Sequence, residues 1–234
     1  MSLKNSKRVV IIIGAPGSGK GTQAELLAER LNLFYFETSK IIESNIMNIV
    51  GNPIVTIGNQ KYSLKDEKIK WETGILNSPP LVAFWVKERI KELAAEGQSL
   101  ILSGSPRTVL EAKEVMPLVE KLYGVKNIKT VLLDISAKES IFRNSHRRLC
   151  ELMRHPILYS QETVKLKFCS LDGSKLLKRK GLDDPKTITV RLEQYRERTL
   201  PVISYLKKQG IFVKKINGSP SPAIVFKNIL KALK

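Results

Sequence analysis

The stretch "VVIIIGAPGSGKGTQAELLAERL" occupies residues Val9 to Leu31. Its first five residues are all β-branched and apolar, the pattern of a short strand covered on both faces. Ala24, Leu27, Ala28 and Leu31 then recur at helical spacing. Between the two, Gly14-Ala15-Pro16-Gly17-Ser18-Gly19-Lys20-Gly21-Thr22 nearly fits the phosphate-loop pattern G-x-x-x-x-G-K-[ST], with one extra glycine before the hydroxyl residue. Missing Cβ atoms at Gly14, Gly17 and Gly19 let consecutive backbone N–H groups point inward and wrap a phosphate. The helix N-terminus adds its positive end, and Lys20 a mobile charge for the outer phosphates. Strand, bare loop and helix together predict a nucleoside triphosphate site.

Outward from this stretch, further strands are predicted at Phe34–Phe36, Ser99–Ser103, Lys129–Ile135 and Ile211–Ile216. Helical patterns fall between them at Ser39–Val50, Asp66–Glu72, Leu81–Ala95, Leu110–Leu122, Ala137–Arg148, Pro185–Lys208 and Ser221–Leu233. Strands alternating with helices imply an α/β domain, a parallel sheet covered on both faces. Two segments break the alternation. Asn48 to Lys65 is polar and carries Gly51-Asn52-Pro53 and Gly58-Asn59, while Leu149 to Leu182 carries Asp172-Gly173-Ser174 and both cysteines. Both read as lobes inserted into a single domain.

Composition narrows the function. Lys and Arg number 40 against 22 Asp and Glu, a net charge of +18. Such an excess fits either a nucleic-acid-binding ATPase or a lysine-rich solvated surface around a site for polyanionic nucleotides. The lysines are scattered from Lys4 to Lys234 without interleaved aromatics, which favours the second and predicts no nucleic-acid partner. No apolar run approaches the roughly 20 residues of a membrane span, and the start MSLKNSKR is too polar for a signal peptide. Cys150 and Cys169 do not make a disulfide framework, so a cytoplasmic chain without membrane contact is expected, and a monomer.

Three further signatures carry cations. Ser103-Gly104-Ser105-Pro106-Arg107-Thr108 ends a predicted strand, where ligands of open parallel sheets sit. Arg143 and Arg147, four apart, point from one helix face to one place. Arg191-Leu-Glu-Gln-Tyr195-x-x-x-Thr199-x-Pro201-x-x-x-Tyr205 adds a third arginine. With a phosphate loop, such a cluster suits neutralisation of a transferring phosphoryl group.

From Val9 to the C-terminus the order and spacing of G-A-P-G-S-G-K-G-T-Q, S-P-R-T, R-x-x-x-R, D-D and R-L-x-x-Y-x-x-x-T-x-P-x-x-x-Y resemble the adenylate kinases, within the nucleoside monophosphate kinases. The resemblance implies a P-loop doubly wound five-stranded core (1–38, 76–148 and 183–234), an NMP-binding arm (39–75) and a lid (149–182). It implies ATP with Mg²⁺, and transfer of the γ-phosphoryl group to AMP or another NMP. Gly14 to Thr22 match the ATP-phosphate loop, with Thr22 at Mg²⁺. Arg143 matches the arginine on the ATP adenine, and Asn217-Gly218-Ser219-Pro220 the backbone beside it. Lys20, Arg107, Arg147, Arg179 and Arg191 match the catalytic cations, Arg107 on the acceptor phosphate. Thr38, Lys40, Leu76, Gly104 and Glu111 fall on the acceptor site.

The departures concentrate on that acceptor site and on the metal. The family's T-G-D-x-x-R is Thr38-Ser39-Lys40-Ile41-Ile42-Glu43, so a carboxylate becomes Lys40 and a phosphate-binding arginine becomes Glu43. The Asp that orders Mg²⁺-bound water is Ser103, and the glutamine at the acceptor's adenine edge is Glu111. A carboxylate accepts from guanine N–H groups or the cytosine amino group but donates nothing to adenine, which keeps a UMP-, CMP- or GMP-type kinase open. A sensor or pseudokinase with a degenerate acceptor site is open too. In a kinase, Lys40 or one of Lys61, Lys65, Lys68 and Lys70 on the long arm is expected to supply the missing cation.

Some lids of the family bind zinc through C-x2-C and C-x2-[C/D]. Here Cys150-x2-Met153 is followed by Cys169-x2-Asp172, and a thioether is a poor Zn²⁺ ligand. Either His155 substitutes for Met153, or the lid holds two free thiols and no metal.

Overall fold

The computed structural model describes residues 7–178 and 183–233. Alternation along β1 (Val9–Gly14) sets its layers: Val9, Ile11 and Ile13 join one core, Val10 and Ile12 the other. The chain continues through α1 (Lys20–Leu31), β2 (Phe34–Glu37), α2 (Thr38–Ile46), β3 (Ile54–Ile57), β4 (Gln60–Ser63), α3 (Leu64–Thr73), α4 (Pro79–Ala95) and β5 (Leu100–Ser103). Next come α5 (Val109–Tyr123), β6 (Ile128–Asp134), α6 (Ala137–Ser145), β7 (Arg148–Cys150), β8 (Pro156–Ile157) and β9 (Leu176–Leu177). The last elements are α7 (Pro185–Gln194), α8 (Leu200–Lys208), β10 (Phe212–Asn217) and α9 (Pro222–Ala232).

Five strands form one parallel sheet in the order β10-β6-β1-β5-β2. Helices α2, α4, α5 and α8 cover one face through residues such as Ile42, Val86, Val115 and Val202. The other face is covered by α1 and α9 through Leu27, Val225 and Ile229. Leu27 is fully buried, and its truncation to Ala would cost about 2–5 kcal/mol. The doubly wound expectation therefore holds. Because all five strands run the same way, Gly14, Glu37, Ser103, Asp134 and Asn217 end at one edge.

Three local readings change. Residues 48–65, read as an inserted lobe without strands, hold the antiparallel hairpin β3–β4, closed by Gly58-Asn59. The first helix after Ala137 stops at Ser145, and Arg148 enters a small antiparallel sheet of order β8-β7-β9. The expected Pro185–Lys208 helix is interrupted at Tyr195–Thr199 by a π turn, in which the Leu200 N–H reaches the Tyr195 carbonyl. Pro201 follows directly. It donates no N–H, and its ring clashes with the carbonyl four residues back, so the wider turn relieves the ladder there.

Candidate active site

A cavity of about 660 Å³ lies at the edge where the strands end, lined by Gly14, Glu37 and Ser103 among others. Its donor half is built on the loop after β1. Gly17 and Gly19 hold φ of +75° and +91°, a backbone region side chains rarely adopt, and a Cβ on Gly17 would stand 2.5 Å from Asn144 Nδ2. Helix α6 braces the loop: Ser140 Oγ donates to the Pro16 carbonyl at 2.6 Å. Lys20 Nζ donates to the carbonyls of Gly14 and Ala15, at 2.8 and 2.9 Å. It thus lies along the loop whose phosphate it is expected to meet.

Arg143 donates through Nη1 to Gly218 O at 3.0 Å and through Nη2 to Ser219 O at 2.9 Å, while Nε meets Glu139 at 2.6 Å. These bonds use the edges of the guanidinium and leave its flat faces for a base. Pro220 lines the same wall. Phe142, His146 and Tyr159 pack as a ring cluster beside it, with centroids 4.4–5.5 Å apart. Arg147 lies 3.8 Å from the buried Asp183, and Arg191 lines the cavity from α7. Arg179 lies outside the described residues.

The acceptor half is arranged differently. Arg107 lines the cavity with its Nε held by Gly104 O at 2.7 Å, after a cis Ser105–Pro106 bond. Lys40, Glu43 and Leu76 are on the wall. Lys40 Nζ is 3.4 Å from Glu37 and 5.8 Å above the Tyr35 ring. Lys61, Lys65 and Lys68 are off this wall, and Lys70 is held by Glu67 at 2.7 Å. Of these lysines, Lys40 alone lines this cavity. Thr38 and Ala15 are buried behind the wall.

Glu111 is also revised. It is 1% exposed and off the cavity wall, with Oε2 accepting the Arg107 backbone N–H at 2.8 Å. Thr108 caps α5 by accepting the Glu111 N–H at 3.1 Å, so Thr108-x-x-Glu111 acts as a capping pair beneath Arg107. Burial pushes the Glu111 carboxyl up to about 7, against the lowering effect of its Arg107 contacts.

Two features escaped sequence reasoning. Glu37 is the in-register neighbour of Ser103 on the parallel strand, and the Tyr35 phenol interacts with both. A carboxylate thus stands one strand away from the lost aspartate. Trp71 and Asn77 also line the cavity. No spacing rule picks out a lone Trp or Asn on an arm of unfamiliar length.

In the segment from β7 to β9, the ligand atoms of Cys150, His155, Cys169 and Asp172 all lie within 4.8 Å of one another. His155 Nδ1 is 3.1 Å from Cys150 Sγ, and Nε2 is 2.9 Å from Cys169 Sγ. Asp172 Oδ1 accepts from Ser174 N and Oγ, which holds its carboxyl well below the ordinary range. Its buried Oδ2 has no partner among the described residues. Met153 is exposed and lies outside the quartet.

An adenylate kinase family profile matches residues 12–211. The chain is 31% identical over 227 residues to an adenylate kinase of Caldicellulosiruptor bescii, covering 96% of this chain and 98% of that one. An adenylate kinase of Methanothrix thermoacetophila is 30% identical over 226 residues, covering 96% and 97%.

Proposed function

The chain belongs to the adenylate kinase family, and we infer that it transfers the γ-phosphoryl group of ATP to a nucleoside monophosphate, with AMP as the first acceptor to test. The observation that carries this reading is one cavity lined by Lys20, Arg107, Arg143, Arg147 and Arg191 together. Five cations around one space suit two polyanions, and they offset charge where it spreads over the transferring group. No side chain needs to become a covalent nucleophile, because an acceptor phosphate oxygen attacks in line. The chain supplies position and charge, and it excludes water as the lid closes over ATP. We take 39–75 as the acceptor arm and 149–182 as that lid.

The donor set fits Mg²⁺: the Thr22 hydroxyl and the Glu37 carboxylate both line the cavity. Bound Mg²⁺ would offset β- and γ-phosphate charge. Thr22 would hold it, and Glu37 would take the part that Ser103 no longer plays. The quartet of two thiols, an imidazole and a carboxylate with an unpartnered oxygen fits Zn²⁺. We read it as a structural site, with His155 in place of Met153. Protein purified without chelator should carry about one zinc per chain, lost in Cys169→Ser with a lower Tm. A metal-free protein whose Tm ignores added zinc contradicts that reading.

Among the described residues no helix is long and apolar enough to cross a membrane. We place the activity in the cytoplasm, in a monomer without a nucleic-acid partner. Ser103 and Glu43 favour one second reading, a nucleotide sensor that binds ATP without turnover. Coupled ADP-formation assays with AMP, CMP, UMP and GMP decide between them. Turnover with at least one acceptor supports the kinase, and ATP binding without turnover on any acceptor supports the sensor.

A further inference from the structure

Where the arm returns to the core, the cavity wall is made by Trp71, Gly74, Ile75, Leu76 and Asn77. None of these side chains carries a charge for a phosphate. They offer a flat aromatic ring and one amide, which is a wall for a base. Trp71 is held from behind by the core it packs against.

Asn77 is only 2% exposed, and its orientation is dictated by Glu67. Its Nδ2 donates to the Glu67 carbonyl at 2.8 Å and to Glu67 Oε2 at 3.0 Å. Both partners only accept, so the NH₂ end must face them and Oδ1 must face away. Glu67 is itself fixed, accepting from Lys70 Nζ at 2.7 Å, Ser78 Oγ at 2.6 Å and Ser78 N at 2.8 Å. Burial raises its carboxyl, but these bonds outweigh burial and keep it below its ordinary value, hence ionised. Among the described residues nothing donates to Asn77 Oδ1. Asn77 Oδ1 is not among the buried unpaired atoms, so water reaches it from the cavity and a donor on a ligand can take that water's place.

We propose that Trp71 and Asn77 form the acceptor-base subsite, with Trp71 stacking on the base and Asn77 Oδ1, locked by Glu67, accepting from an exocyclic amino group. This rests on the kinase reading and deepens it. Adenine, cytosine and guanine each present such a group, whereas uracil presents only carbonyl oxygens at its exocyclic positions, which leaves two acceptors opposed. The subsite therefore selects AMP and CMP over UMP. Glu67 is a positioning residue. It touches no substrate and acts by fixing which end of the amide faces the cavity.

The test uses the full chain with each of the four monophosphates, comparing kcat/KM of the wild type with three variants. Glu67→Gln replaces one of the two acceptors that hold Nδ2 with a group that also donates and leaves the Glu67 carbonyl in place, so the Asn77 amide is loosened rather than freed. The AMP-to-UMP preference should fall about threefold in this variant and about tenfold in Asn77→Leu, with ATP KM unchanged. Trp71→Leu should instead raise KM about tenfold for all four acceptors alike. The chain has two tryptophans, so Trp85→Phe isolates Trp71 as a fluorescence reporter. AMP and CMP should quench it at lower concentration than UMP. Equal quenching by all four, or an AMP-to-UMP ratio unmoved in both folded Glu67→Gln and Asn77→Leu, would overturn the proposal. No phosphorylation of any acceptor would overturn the kinase reading instead, and the fluorescence titration would still decide the subsite.

Discussion

The two halves of the cavity are built by different means. The donor half is mostly backbone and short bonds: glycines at positive φ, Ser140 on the Pro16 carbonyl, and Arg143 clamped on Gly218 and Ser219. The acceptor half is mostly side chains, with Glu37, Lys40 and Glu43 gathered on its wall around Arg107. Backbone cradles depend on every Cβ and φ, so few sequences reproduce them. Side-chain charges can move one strand or one helical turn and still meet in space. The proposed exchange of Ser103 for Glu37 would be such a case, since the two are register partners on adjacent strands.

That contrast ranks the expected effects. Lys20→Ala strikes the donor half and should cut kcat by at least about a hundredfold, whichever acceptor is used. Steady-state kinetics with each monophosphate checks this, and a loss under tenfold would remove Lys20 from transition-state stabilisation.

The second effect lies beneath the acceptor half. Glu111 is raised to about 7, so its protonated form is favoured by the folded chain. Stability from that proton is present below the unfolded value near 4.5 and is lost as pH rises toward 7. Relative to the wild type, Glu111→Gln should therefore gain stability between pH 4.5 and 7, by at most about 3 kcal/mol, and level off above. Denaturant titrations across that range measure it. A gap that is flat with pH would show that Glu111 is already ionised in the fold.

Two smaller effects sharpen the comparison. Glu37→Gln should raise the Mg²⁺ concentration for half-maximal ATP binding about tenfold, read by calorimetry without turnover. An unchanged Mg²⁺ requirement would dissociate Glu37 from the metal. Lys40 is 71% exposed at its side chain and already faces Glu37, so solvent screens it. Lys40→Ala should raise acceptor KM no more than about threefold and leave ATP KM unchanged. A hundredfold rise would make Lys40 the full replacement for the arginine lost at Glu43.

What the sequence made legible follows the same line. β1 and the loop from Gly14 to Thr22 were readable because β1 is a buried run of β-branched residues and the loop needs glycines at fixed places. By contrast β2, Phe-Tyr-Phe-Glu, and the largely exposed β10 were legible only as apolar residues between helical patterns. The hairpin at Ile54–Ser63 was passed over, although Gly58-Asn59 between short alternating runs is a two-residue turn signal. His155 was visible only as a substitute, because a segment folded around a small sheet brings together residues that no fixed spacing describes. Glu111 was misplaced for a related reason. A glutamate three residues after Thr108 is as much a helix cap as a ligand, and burial decides between the two.

The central claim, that a sound donor half works with a rebuilt acceptor half, is tested most directly by following the label of γ-³²P-ATP in a single turnover. With AMP present, label should appear in the new nucleoside diphosphate, with little inorganic phosphate, and both should vanish in Lys20→Ala. Label confined to inorganic phosphate, or retained in ATP with AMP, CMP, UMP and GMP alike, would contradict it.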